Sequence, residues 1–259
     1  MTLPLSDRHA IVTGGARGIG GAIAGALARL GASLTLMGRD EDALQARAVE
    51  LMDEYAVEVF TVRCDVALDE SVTRAFAASR ERYPSPWILV NNAGQGEVAP
   101  LMEMTRESWE RMLAVNMTGA WLCTREVWPA MIAAKGGRVI NIASVAGLRG
   151  FGGGSAYAAA KHGLVGLSRS LAHEGVRHGI TVNAVCPSYT DTRMAEQAAN
   201  NIAGLRGIGL DEARQALART VPAGRLITPG EVAATVAWLC SPDASAVNGQ
   251  AIIVAGGEI

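Results

Sequence analysis

Thr13-Gly-Gly-Ala-Arg-Gly-Ile-Gly20 is the stretch that decides how the rest of the chain reads. The apolar run 9–13 leads into it, and an amphipathic stretch over 18–30 leaves it. Glycines at 14, 18 and 20 permit a tight turn, close backbone approach to a pyrophosphate, and close packing of helix on strand. A helix opening here aims its free N–H groups and positive dipole end at phosphate oxygens. The spacing is Gly-x-x-x-Gly-x-Gly rather than Gly-x-Gly-x-x-Gly, and a bare glycine cluster is a weak signal. Its place at the strand-to-helix switch of a unit spanning 9–38 makes it a dinucleotide-binding turn. Gly14, Arg17, Gly18, Ile19 and Gly20 are its contact residues.

Outward from this turn, apolar runs of strand length alternate with longer amphipathic stretches. Strands are expected over 9–13, 33–38, 58–63, 87–91, 137–142, 181–185 and 251–254. Most are solid blocks of Val, Ile and Leu, as in strands covered on both faces of a parallel sheet. Helices are expected over 18–30, 41–55, 69–83, 106–134, 155–177 and 229–240. The alternation predicts an α/β fold: a Rossmann-type doubly wound parallel sheet of about seven strands flanked by helices. No linker, charge block or repeat divides residues 1–259, so one domain is expected. The Ala- and Arg-rich segment 192–221 breaks the alternation and is read as a helical substrate lid at the carboxyl edge of the sheet, with a packing or oligomer helix pair as the other reading.

The end of the second expected strand should face the adenosine ribose. An acidic residue there would select NAD; the chain instead reads Leu36-Met-Gly-Arg39. A guanidinium at Arg39 can pair bidentately with a 2′-phosphate, and Arg17 adds positive charge, so NADP(H) is favoured over NAD(H). Asp40 and Glu41 stand close enough to weaken that field.

Composition removes several classes of function. The 259 residues are 49% hydrophobic and 19% charged, which suits a sizeable core and excludes intrinsic disorder. Twenty-three basic against 25 acidic residues give a net charge of −2, so no footprint for nucleic acid or an anionic membrane is expected. No apolar run is long enough to span a bilayer. The start, Met1-Thr-Leu-Pro-Leu-Ser-Asp-Arg-His9, lacks a secretory pattern, and a cytoplasmic protein is expected. Cys64, Cys123, Cys186 and Cys240 form no Cys-x-x-Cys pair, and His9, His162, His173 and His178 have no ligand spacing. No metal is expected.

Further elements carry chemistry: Asn91-Asn-Ala-Gly94, Asn116, Ser144 and Tyr157-x-x-x-Lys161. Tyr157 and Lys161 are four apart on an expected helix and share a face. A free tyrosine has a pKa near 10, and acid–base work near neutrality needs roughly 2–3 units less, about 3–4 kcal/mol. One ammonium at ~4 Å in an effective dielectric of ~20 is worth about 4 kcal/mol, so Lys161 is expected to suffice. Ser144 follows the fifth expected strand, where its hydroxyl can hydrogen-bond a developing alkoxide beside the tyrosine. In order and spacing these elements, with the glycine turn, resemble the short-chain dehydrogenase/reductase family over nearly the whole chain.

The resemblance implies a catalytic set of Asn116, Ser144, Tyr157 and Lys161. In it Tyr157 exchanges the proton, Lys161 also binds the nicotinamide ribose, and Asn116 holds a water linking the lysine to solvent. It also implies that Asn92 and its neighbours approach the adenosine, with Gly94 allowing close backbone contact. Asp65 would bond the adenine amino group, with backbone from Val66, and Pro187, Thr190 and Thr192 would meet the carboxamide. Ser188 stands where the family usually has glycine, which puts the backbone there in question.

Gln95, Gly96, Val145, Ala146, Leu148, Phe151, Gly152 and Tyr189 make a small, mostly apolar candidate pocket; Arg149 and Arg193 are its charged exceptions. That lining, with the overall pattern, resembles the 3-oxoacyl-thioester and ketone reductases of the family. The expectation is hydride transfer between a nicotinamide cofactor and a ketone or secondary alcohol of small or 3-oxoacyl type. The alternatives are an NAD-dependent alcohol dehydrogenase, a non-catalytic dinucleotide-binding regulator, and an isomerase, epimerase or lyase on the same fold. The resemblance further implies a homotetramer assembled through the helices at 106–134 and 155–177 and the last strand.

Overall fold

The computed structural model describes residues 3–258. Among these, seven strands form one sheet: β1 (His9–Thr13), β2 (Ser33–Gly38), β3 (Val59–Arg63), β4 (Pro86–Asn91), β5 (Gly137–Ile142), β6 (Ile180–Pro187) and β7 (Ala251–Val254). Their order is 3-2-1-4-5-6-7, and every neighbouring pair is parallel. The winding reverses between β1 and β4, so a crevice for a ligand opens beyond their carboxyl ends. This is the expected doubly wound sheet, with strand limits within two residues of those expected.

Helices cover both faces: α1 (Gly18–Arg29), α2 (Glu41–Tyr55), α3 (Asp69–Arg82), α4 (Arg106–Leu113), α5 (Gly119–Ala133), α6 (Ser155–Gly175), α7 (Arg193–Arg206), α8 (Leu210–Ala218) and α9 (Pro229–Cys240). Strand β1 shows how the two layers are built. All five of its residues are buried. Ala10 and Val12 pack with Ile23, Leu27, Leu44 and Val236 on one side, while Ile11 packs with Phe76, Leu122 and Val127 on the other. This is the period-two alternation of a strand buried on both faces, and each such large side chain contributes about 1.5–3 kcal/mol.

One expected element differs. The helix over 106–134 is interrupted by a π turn at Ala114–Thr118, between α4 and α5. Asn116 supplies the cause: its Nδ2 donates to the Met112 carbonyl four residues back, at 3.0 Å, competing for the acceptor that the helical ladder would use. The bonding then slips by one, and the Gly119 N–H reaches five residues back to Ala114. Within the segment 192–221 lie the two helices α7 and α8. Helix α7 ends at Gly207 in the left-handed region (φ 65°), and α8 folds back beside it.

Candidate active site

The glycine turn lies at the carboxyl end of β1, and its neighbours leave no room for side chains. Gly14 sits at φ 64°, where a Cβ would stand 2.8 Å from Asn92 Nδ2; a Cβ on Gly20 would collide with the Gly14 carbonyl. Arg17, extended at φ −146°, precedes α1, whose first turn has no side-chain cap among the described residues. Such an N-terminus keeps backbone donors for an anion. Asn92 braces the turn from the side: Nδ2 donates to the Thr13 carbonyl (3.0 Å) and the Gly14 carbonyl (3.2 Å). Both amide hydrogens are engaged there, so this side chain serves the turn, whereas the resemblance implied an approach to adenosine.

Asn116 is 1% exposed and completely bonded. Its Nδ2 donates to the Gln95 carbonyl at 2.9 Å as well as to Met112, and its Oδ1 accepts from the Gln95 N–H at 3.2 Å. Gly94 lies against it: a Cβ there would stand 2.9 Å from Asn116 Oδ1 and 3.7 Å from Lys161 Nζ. The structure thus brings Gly94, Asn116 and Lys161 to one point. Lys161, buried on α6, donates from Nζ to the Ile142 carbonyl at the end of β5 (2.8 Å). Ser144, two residues on, accepts from the Ala146 N–H (3.1 Å) and donates to the Pro187 carbonyl (3.4 Å), tying the ends of β5 and β6 together.

Tyr157 lies one turn before Lys161, with Nζ 5.6 Å from its ring centroid. Here the electrostatics depart from the expectation that Lys161 draws the phenol toward neutrality. Burial pushes the Tyr157 phenol above its ordinary value; the Ser144 hydroxyl opposes this, and Tyr189 and Cys186 add to it. Burial likewise brings the Lys161 ammonium down to about 8, with Cys186 opposing. The ammonium faces the ring and a backbone carbonyl, and desolvation of both groups outweighs their attraction. The pair therefore holds a protonated phenol beside a lysine that titrates near working pH.

The remaining residues lie around this centre. Thr192 stands next to Gly18, with Cγ2 3.2 Å from the place of a Cβ there, and its hydroxyl donates to the Thr190 carbonyl (3.2 Å). Thr190 donates to the Ser188 carbonyl (3.0 Å), so Thr190 and Thr192 form one compact turn directly after Pro187, the last residue of β6. Met194 Sδ lies 3.5 Å from the place of a Cβ on Gly96, which brings the start of α7 over the loop after β4. Asp65 accepts from the Ala67 N–H (3.1 Å), and Val66 packs against Gly119 at the start of α5. Arg39 is exposed just beyond β2, while Arg17 pairs with Asp40 at 2.8 Å. Asp40 also caps α2 by accepting from the Ala43 N–H (3.0 Å).

The family description "Enoyl-(Acyl carrier protein) reductase" matches residues 14–258. A "Granaticin polyketide synthase putative ketoacyl reductase 1" of Streptomyces violaceoruber is 43% identical over 250 residues, covering 96% of this chain and 92% of that one. A 3-oxoacyl-(acyl-carrier-protein) reductase of Aquifex aeolicus (strain VF5) is 35% identical, covering 99% of both chains. Among solved structures, an actinorhodin polyketide ketoreductase with NADPH superposes with a TM-score of 0.93 at 38% identity, over 96% of both chains. The L-sorbose reductase of Gluconobacter frateurii, complexed with NADPH and L-sorbose, gives 0.95 at 31% identity, over 100% of this chain and 99% of that one. The chain belongs to the short-chain dehydrogenase/reductase family.

It is accordingly an NAD(P)-dependent oxidoreductase acting on CH–OH/C=O groups. Within that family frame, sequence reading had no route to three features. The close approach of Gly94 to Asn116 and Lys161 needs a contact across 67 residues of chain. Cys186, read as a buried apolar residue, acts electrostatically on both Tyr157 and Lys161. Glu258, with no motif around it, reaches Arg149 and Ser188. The one available signal was Ser188 itself, standing in place of a glycine. Among the described residues no group of three His, Cys, Asp or Glu side chains could hold a metal ion, and no helix is long and apolar enough to cross a membrane.

Proposed function

We propose that this chain is an NADP(H)-dependent reductase of ketones, 3-oxoacyl thioesters included, with Ser144, Tyr157, Lys161 and Asn116 as its working residues. The observation that carries the reading is the meeting of a half-buried, protonated phenol, a serine hydroxyl and a lysine at the carboxyl end of β5, beside the glycine turn. The residues fit a dinucleotide: the turn is a cradle that a Cβ would fill, and α1 presents backbone donors toward it. Gly14, Gly18, Ile19 and Gly20 would hold the pyrophosphate, Asp65 and Val66 the adenine, and Pro187, Thr190 and Thr192 the carboxamide end. When bound, the reduced cofactor supplies hydride.

Tyr157 then donates its phenolic proton to the carbonyl oxygen, and Ser144, turning its proton from the long bond to the Pro187 carbonyl, donates to the oxygen as negative charge builds there. Lys161 lowers the cost of the phenolate formed in that step, and in reverse the same phenolate accepts the proton from an alcohol. Asn116 holds the π turn and Gln95 in place, and with them the close approach of Gly94 to the ammonium. Asn92 keeps the glycine turn rigid. The 2′-phosphate would fall to Arg39 and to Arg17, which must exchange Asp40 for the phosphate. The reductases of actinorhodin and L-sorbose were solved with NADPH, which supports this preference.

The whole chain works as one catalytic unit in this reading, with 192–221 as a lid: a Cβ on Gly18 would meet Thr192 at 3.2 Å, and one on Gly96 would meet Met194 at 3.5 Å. A groove of about 410 Å³ between α5 and α6, lined by Trp121, Trp128 and Leu171, is the face on which a second copy of the chain would pack. With Ile253 of the edge strand 46% exposed, a tetramer would use both surfaces. Four buried free cysteines suit a reducing compartment, the cytoplasm. The test is NADPH oxidation at 340 nm over a ketone panel that includes a 3-oxoacyl thioester. Net consumption supports the reading; NADPH binding without turnover, or turnover without net NADPH change, overturns it.

A further inference from the structure

Glu258 is a buried carboxylate, 7% exposed, near the end of the chain. Both of its oxygens are engaged: Oε1 accepts from Arg149 Nη2 and Oε2 from the Ser188 hydroxyl. After β7, Gly256 (φ 57°) and Gly257 (φ 92°) turn the chain back, and the Ala223 N–H donates to the Gly256 carbonyl at 2.9 Å. That turn brings the carboxylate between two walls of the site. Arg149 belongs to the loop leaving Ser144, where its N–H donates to the Val145 carbonyl (3.1 Å). Ser188 follows Pro187, whose carbonyl accepts from Ser144. Tyr189, next in sequence, carries a phenol raised by burial and then by Glu258, and Tyr189 acts in turn on Tyr157.

A buried charge is tolerated when it is paired and its lone pairs are filled, and charge-assisted bonds are short and directional. Here the pairing spans 109 residues on one side and 70 on the other; the Ser188 N–H already bonds the Val254 carbonyl (3.2 Å), and Glu258 adds side-chain links to Ser188 and to the Arg149 loop. We infer that Glu258 is a positioning residue for the reduction, clamping the Ser144 loop to the turn after β6 through Arg149 and Ser188. The inference rests on the reductase reading above. The hydroxyl of Ser188, absent from a glycine at that position, gives the carboxylate its second anchor. With the clamp in place, the Ser144 hydroxyl stays within reach of the carbonyl that Tyr157 protonates. Glu258→Gln keeps one acceptor oxygen but turns an amide N–H₂ toward a donor, so one leg opens.

The experiment compares E258Q, R149A, S188A and the E258Q/R149A double variant on a 3-oxoacyl thioester of N-acetylcysteamine, with kcat counted per NADPH-binding site. The expected result is a loss in kcat of about tenfold for E258Q and R149A, and less for S188A, because a small misplacement of a hydrogen-bonding group costs rate. The NADPH Kd should stay within about twofold, since the glycine turn is untouched. The double variant should lose no more than the worse single, as members of one linkage do. Wild-type kcat per site in the variants, with only a lower Tm, overturns the clamp, and so do losses that multiply in the double variant. If E258Q does not fold, R149A and S188A decide by the same kcat and Kd criteria. Absence of turnover by the unaltered chain overturns the reductase reading and the clamp with it; turnover with unaffected variants overturns the clamp alone.

Discussion

The two ends of the sheet bury polar side chains in opposite ways. At the amino end, His9 Nε2 bonds Thr35 Oγ1 (2.9 Å), Thr35 bonds Ser79 (3.1 Å), and Tyr83 stacks on the imidazole at 4.2 Å. At the carboxyl end, Asn116 and Asn92 are held by short bonds to backbone partners, whereas the Ser144 hydroxyl spends its proton only on a long 3.4 Å bond to the Pro187 carbonyl, beside the Tyr157 phenol. Burial depresses a base at each end: His9 falls to about 3 and Lys161 to about 8. The histidine is therefore neutral throughout the physiological range and inert, while the lysine titrates where an enzyme works. What differs is the starting pKa and the neighbours, not the depth. A polar ladder sealed under packed side chains is architecture, even with His9 Nδ1 left without a partner; one that reaches the carboxyl edge of the sheet is a site.

The contrast breaks most sharply at Tyr157. Tyr157→Phe should reduce ketone turnover by about 10³-fold or more while NADPH affinity, read by fluorescence titration, stays nearly unchanged. Retained turnover would remove the acid role and with it the distinction between the ends. The second effect belongs to the amino end. His9 binds a proton near 6.5 when unfolded and near 3 when folded. The unfolded state therefore holds more protons across that window, and stability is lost as pH falls from about 6.5 toward 3. At pH 5 the loss is about 2 kcal/mol, and His9→Gln should flatten that acid limb in urea melts without changing turnover at neutral pH.

At the outer rim of the carboxyl end, Arg39→Ala should weaken NADPH about tenfold while NADH changes little, as expected for one exposed guanidinium on a phosphate. Equal losses for both cofactors would move Arg39 off the 2′-phosphate. The smallest effect is in pH dependence. Reduction uses the protonated phenol next to a charged lysine, so kcat/KM should fall to about half near pH 8 and keep falling above it, with oxidation moving the other way. A flat reduction profile to pH 10 would show that the Lys161 ammonium does not set the rate.

Much of this was legible in the residues. Solid Val/Ile/Leu blocks such as 88–90 can only be strands covered on both faces, and the Gly14–Gly20 turn placed the ligand end of the sheet. The helix after Gly154 put Tyr157 and Lys161 on one side by its period alone. Residue 116 was legible as an anomaly, an asparagine in mid-helix, but its consequence was not: a π turn depends on the side chain outcompeting a backbone donor for the Met112 carbonyl. The depressed Lys161 was also beyond reach, because a charge count ignores how much water the fold removes. The inward turn of Asn92 is equally non-local, since its partners are the Thr13 and Gly14 carbonyls, 79 and 78 residues away.

The sequence by itself determined the order of strands and helices, the dinucleotide turn and the tyrosine–lysine pair, because these follow from local periodicity and short spacings. The tertiary structure alone decided which protons are held and where: the desolvation of Tyr157 and Lys161, the closed bonding of Asn116, and the reach of Glu258 to Arg149 and Ser188. Those are properties of what packs around a group. They arise from residues distant in the chain, whose distances and exclusion of water exist only once the sheet is assembled.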